Sequence, residues 1–93
     1  MLKLYRFYWD CGRMGSVEGL FISTDDEVKL AIGKYVYLGE VLGKHSEVYG
    51  TLDAEDIDVI SDDQEKITWL RSIFGDNVSG FNPLDYTNYG EEE

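Results

Sequence analysis

Hydrophobic and polar positions alternate between two periods along this chain, and the switches mark out the elements. LKLYRFYW (2–9) is aromatic and apolar in the manner of a strand, and VEGLFIS (17–23) reads as a second. DCGRMGS (10–16) is the glycine-bearing loop between them, and Gly19 inside the second strand signals a bulge or a close backbone approach. Thr24 with Glu27 forms a capping box, and Asp25 and Asp26 suit the positive end of a helix, so a short helix is expected at 25–32 with Gly33 as its stop. KYVYLGEVL (34–42) and EVYGTL (47–52) are β-rich and flank Gly43-Lys44-His45-Ser46, a length that suits a β-hairpin. DAED is a turn, and IDVIS (57–61) a further strand.

Ser61 and Gln64 form a second capping box before DDQEKITWLRSIFG. Here Ile67, Leu70, Ile73 and Phe74 fall at helical spacing with Trp69 beside the stripe, and Gly75 closes the helix. The order β-β-α-β-β-β-α has hairpins and no βαβ alternation. It predicts an α+β fold, an antiparallel sheet of about five strands with two helices. Residues 1–80 read as a single compact domain. Residues 81–93 read as an acidic tail that packs at first through Phe81, Leu84 and Tyr86 and then frays.

Composition narrows the classes. Ninety-three residues with 43% hydrophobic and 14% aromatic content support one modest core and exclude a disordered chain. The seven tyrosines and two tryptophans suit strands, and in part interfaces. The one cysteine, Cys11, excludes an internal disulfide and a thiolate zinc cluster. No signal-peptide core or membrane-length apolar run is present, so a soluble, intracellular protein is expected.

Charge is unevenly placed. Residues 1–46 hold six acids and six bases, whereas 47–93 hold thirteen acids and two bases, Lys66 and Arg71, which carries the whole net charge of −11. Direct DNA or RNA binding is not expected, because phosphate contacts need clustered lysine and arginine. An acidic half either imitates nucleic acid in a basic groove of a partner or serves solubility alone.

Candidate chemistry centres on GEVLGKHSEVYG (39–50). It misses the Walker A spelling: three residues, not four, separate Gly39 from Gly43, His45 takes the hydroxyl position, and a strand rather than a helix follows. A nucleotide-hydrolysing loop is therefore excluded. A glycine-led turn with Lys44, His45 and Ser46 as donors still suits an anion, and Arg13 between two glycines suits an anion clamp. The plainer alternatives are a polar hairpin tip without a ligand, and an arginine paired with Asp10.

Catalysis finds little support. His45 and Ser46 are adjacent, no G-x-S-x-G elbow exists, and a Cys11–His45 dyad lacks an activating partner. DAEDID lacks the glycine and ligand spacing of an EF-hand. No enzyme, metal site or cofactor is expected.

GRMGSVEGLF (12–21), VYLGEVLGKHSEVYGTL (36–52) and FNPLDY (81–86) resemble a family of small bacteriophage and prophage proteins, most recognisably in GEVLGKHSEV. The resemblance covers most of the chain and carries over no catalytic residue. It implies phage origin, expression in the host bacterial cytoplasm, and a binder or inhibitor directed at a host defence system.

Two functions follow as expectations. The first is capture of a small anionic, nucleotide-like ligand by Arg13, Gly43, Lys44, His45 and Ser46, with tyrosine or tryptophan stacking on a base and a homo-oligomer enclosing the site. The alternative is an acidic inhibitor that fills a basic groove through Asp53, Glu55, Asp56, Asp58, Asp62, Asp63 and Glu65. Ligand capture is preferred, since the only histidine stands with lysine and serine on one glycine-led turn.

Overall fold

The computed structural model describes residues 1–42 and 47–87. Its centre is a nine-residue hairpin ladder. Strands β1 (Leu2–Asp10) and β2 (Ser16–Thr24) pair antiparallel without interruption from Leu2↔Thr24 to Asp10↔Ser16. Their aromatic and β-branched residues suit a pleated, two-sided surface. Successive side chains point to opposite faces. Tyr5, Phe7, Val17 and Phe21 therefore enter one core, and Leu4 and Ile22 enter a second on the other side.

After β2 the chain turns into helix α1 (Asp25–Ala31). Thr24 caps it by accepting from the Glu27 backbone N–H at 3.2 Å. The Glu27 carboxylate accepts from the Ser23 hydroxyl at 2.6 Å instead of returning to the cap, so the expected capping box closes on one side only. Strands β3 (Tyr35–Gly39) and β4 (Val48–Thr51) form a separate two-stranded antiparallel sheet. Its inward residues Val36, Leu38 and Val48, with Leu52 just beyond, complete the first core.

A 3₁₀ turn (Ala54–Asp56) leads to β5 (Ile57–Ser61), which pairs antiparallel with β1. Helix α2 (Gln64–Phe74) then places Ile67 over Leu4 and Ile22. A short strand, β6 (Asn77–Gly80), pairs with β2, and the 3₁₀ turn Pro83–Tyr86 follows. Phe81, Leu84 and Tyr86 pack on the first core.

The α+β class, the antiparallel pairing and the two helices stand, with six strands among the described residues. They divide into a four-stranded sheet in the order β5-β1-β2-β6 and the β3–β4 ribbon. The outer sides of β1 and β2 are taken by β5 and β6, so the ribbon pairs with neither. It covers a face instead.

Two further local expectations change. Strand β6 lies in a stretch whose sequence carries no alternation beyond Val78. A close approach holds it there. Gly19 and Gly80 pair across the ladder, and a Cβ on Gly19 would fall 1.9 Å from the Phe81 carbonyl oxygen. Helix α2 is capped by Asp63, not Ser61: the Asp63 carboxylate accepts from the N–H groups of Glu65 at 3.1 Å and Lys66 at 3.3 Å. Ser61 is held in β5 opposite Leu4, and its hydroxyl accepts from the Asp63 N–H at 3.1 Å.

Candidate functional site

The ligand site read from the sequence has two parts, and their standing differs. Gly43, Lys44, His45 and Ser46 lie outside the described residues. Arg13 is exposed on the 3₁₀ turn Gly12–Met14 that joins β1 to β2. That turn is tied down locally. The Asp10 carboxylate accepts from the Gly12 N–H at 2.9 Å, and Cys11 N–H donates to the Gly15 carbonyl at 2.8 Å. Asp10 is thus committed to the turn backbone, and no Asp10–Arg13 ion pair is found among the described residues. Gly15 sits at φ 114°, a conformation that L side chains rarely adopt.

The fold brings this turn beside the β3–β4 hairpin. A Cβ built on Gly15 would lie 3.9 Å from the Leu42 side chain. Cys11, Val41 and Leu42 pack together against the first core. Between the turn and the base of the ribbon is an open cleft of about 370 Å³, lined by Trp9, Asp10, Cys11, Glu47, Val48 and Tyr49. The two described residues that flank Gly43–Ser46, Leu42 and Glu47, both reach this neighbourhood.

Each wall has a structural reason. Trp9 is fixed at its polar end, where Nε1 donates to the Asp56 carboxylate at 2.7 Å, and its ring packs edge-on against Phe7 at 5.1 Å. The ribbon lies on the indole at Gly50, where an added Cβ would be in ordinary van der Waals contact with the ring at 3.7 Å. On the outer face of the ribbon Tyr49 is 58% exposed. Its ring is near-parallel to Tyr37, with centroids 6.3 Å apart, and tilted against Tyr35 at 6.1 Å. The Tyr37 hydroxyl donates to Glu47 at 3.0 Å, which orients the carboxylate at the cleft mouth. Burial first, and then the neighbouring Asp10 charge, push the Cys11 thiol above its ordinary value. Cys11 is therefore held in its thiol form and is a poor nucleophile.

The acidic residues of the alternative reading serve several ends. Asp53 and Asp56 cap the Ala54–Asp56 turn reciprocally, and Asp56 also holds Trp9. Asp63 caps α2. Glu55, Asp58, Asp62 and Glu65 are exposed, and no side-chain hydrogen bond or ion pair engages them among the described residues. No group of three histidine, cysteine, aspartate or glutamate side chains is placed to hold a metal ion among the described residues. No described helix is long and apolar enough to cross a membrane.

Sequence reasoning missed a second cleft, of about 440 Å³, between α1, the start of β6 and the Pro83–Tyr86 turn. It is polar, with Ser23, Glu27, Asp76, Asn77 and Asp85 in its wall. A side-chain chain orders it: Asn82 donates to Asn77 at 2.6 Å, and Asn77 donates to Asp85 at 2.8 Å. No motif announces it, because its halves lie some fifty residues apart in the chain.

No protein-family model, curated protein or solved structure matches this chain.

Proposed function

We propose that this protein is a non-enzymatic phage accessory protein that captures a small anionic, nucleotide-like ligand in the cleft between the Asp10–Gly15 turn and the β3–β4 ribbon. Its role is to withhold that ligand from a bacterial defence system in the host cytoplasm. The observation that supports this reading is the approach of Gly15 to Leu42, the residue that leads into Gly43–Ser46. Arg13 stands on the same turn as Gly15. Lys44, His45 and Ser46 follow Leu42 in the chain and are assigned to the site by this reading.

The chemistry divides along the cleft. Arg13 and Lys44 supply positive charge for phosphate oxygens, and His45, Ser46 and turn N–H groups supply further donors. The exposed Tyr49 ring offers a face for a base, a contact of about 1–3 kcal/mol per stacked base. Asp10 and Glu47 repel phosphate but accept hydrogen bonds from ribose hydroxyls or base amino groups, so the ligand lies with its sugar or base toward them. The raised Cys11 pKa leaves no activated thiol in the wall, which fits holding a ligand rather than cleaving it. A cleft of about 370 Å³ is small for a ligand pocket, whose usual range is about 300–1,000 Å³. A second copy of the chain closes its open side in this reading.

The test is calorimetric titration with a panel of mono-, di- and cyclic nucleotides, alongside native mass spectrometry of protein taken from infected cells. Arg13→Ala and Lys44→Ala are each expected to weaken the tightest ligand by about 1.5–3 kcal/mol, as for a lost charged hydrogen bond. The ligand released by heat should be chemically unchanged. Unaltered affinity in both variants sinks the site, and a converted ligand sinks the non-enzymatic assignment.

A further inference from the structure

Strand β5 is an open edge. It pairs with β1 on one side, and among the described residues no strand pairs with it on the other. Its ladder to β1 is bulged at Ile60, between the pairs Leu4↔Ser61 and Tyr5↔Val59, and the outward N–H and C=O groups of the regular stretch Ile57–Val59 form a template for one more strand. Two of its apolar side chains also face solvent: Val59 is 54% exposed and Ile60 51%. An edge strand of this kind invites any extended chain, and the flanking charge decides which.

That charge is uniform. From Asp53 to Glu65 the chain carries seven acids and no base. Asp58 lies within β5 itself, opposite Arg6 on β1. Arg6 is bound elsewhere, donating to Glu18 at 2.9 Å. Acids along an edge commonly guard it against pairing with its own kind. Two copies of β5 aligned edge to edge would bring their Asp58 carboxylates and the flanking acids together, so a second copy is the wrong occupant. A strand bearing lysine or arginine meets the opposite condition: its backbone completes the ladder, its apolar residues reach Val59 and Ile60, and its cations face Asp58, Asp62 and Glu55.

We propose that the outer edge of β5 docks a basic, extended segment of a partner protein by strand addition. This is independent of ligand capture in the cleft, since β5 contributes no side chain to that cleft.

The probe is a short acetylated and amidated peptide alternating lysine and valine, titrated into the full-length protein and followed by amide chemical shifts. The largest shifts are expected at Ile57–Ser61. N-methylation of alternate residues keeps the peptide's charge but removes hydrogen bonds along one edge. It is expected to weaken binding about tenfold or more, the sum of two or three net backbone bonds. Asp58→Lys should weaken it about tenfold by reversing the nearest charge. Ile60→Lys, on an exposed side chain, repeats that test should Asp58→Lys disturb folding. Equal binding of the N-methylated peptide would reduce the contact to diffuse charge attraction and overturn the proposal. So would shifts centred on the Tyr35–Tyr49 ribbon, or a dimer of the free protein joined through β5. Nucleotide titrations of the Asp58→Lys protein should be unchanged, which separates the fate of this edge from that of the cleft.

Discussion

The two faces of the four-stranded sheet are built to different depths. On the face covered by α1 and the β3–β4 ribbon, ten buried side chains form one cluster, with Phe7, Phe21, Val36 and Leu52 fully enclosed. On the α2 face the buried cluster among the described residues is Leu4, Ile22 and Ile67. The helix there is apolar over a wider arc than it uses: Trp69 is 62% exposed, and Ile73 and Phe74 are both more than half exposed. A small domain has little core to distribute. This one concentrates it on the side that carries the cleft, and Trp9 and the ribbon pack against that cluster.

The largest expected effect tests what joins β6 to that arrangement. In Gly19→Ala the new Cβ would meet three backbone atoms of Phe81, the nearest at 1.9 Å, and backbone has little room to yield. Urea unfolding should show a loss of about 5 kcal/mol, beyond ordinary overpacking. A loss below about 1 kcal/mol would mean that β6 and Phe81 are not seated where described.

The faces themselves are compared by truncation. Phe7→Ala removes a fully enclosed ring from the deep face and should cost about 4 kcal/mol, whereas Ile67→Ala on the shallow face should cost about 2 kcal/mol. Equal costs would erase the distinction. Asp56→Ala strips the Trp9 indole of its partner and opens the Asp53–Asp56 cap, for an expected loss of about 2 kcal/mol. Tryptophan fluorescence of that variant should report a more solvated ring.

A smaller effect appears in acid. Asp25 accepts from the Tyr5 hydroxyl at 2.5 Å and from Lys3 at 2.9 Å. These two bonds, Tyr5 first, hold its carboxyl below the ordinary value of 3.8. A depressed folded pKa makes the contribution complete above that ordinary value and removes it as pH falls through the lower folded one. Unfolding midpoints should therefore drop below about pH 4, and Asp25→Asn should flatten this limb. Burial, then Asp25, pushes the Tyr5 hydroxyl well above its usual range, so Tyr5 should resist ionisation in an alkaline absorbance titration of the folded protein. The smallest change belongs to the shallow face: Trp69→Ala and Ile73→Ala should each shift stability by about 0.5 kcal/mol or less. A larger loss in the isolated protein would show that this side of α2 is covered in solution.

Much of the architecture was legible because it is local. The β1–β2 hairpin, the Thr24 start of α1 and the Gly75 end of α2 each follow from residues within a few positions of one another. Strand β6 was not legible, since NVSG earns its place from Gly80 lying against Glu18 and Gly19, about sixty residues earlier. The stripe on α2 announced a helix correctly, but periodicity cannot say how much of an apolar arc a neighbour will cover. For the site, sequence singled out Arg13 and Gly43–Ser46. The aromatic walls, Trp9 and Tyr49, were visible there only as composition.

By itself the sequence determined the class, the element order through α2, the antiparallel sense and the gathering of negative charge in the second half. Those depend on period, caps and turn residues, which act over a few bonds. Tertiary structure alone decided that the strands split into two sheets, that the Arg13 turn meets the hairpin at Leu42, and that β5 is left as an edge. These depend on which strands occupy the free sides of β1 and β2, and that competition is settled by contacts between residues far apart in the chain.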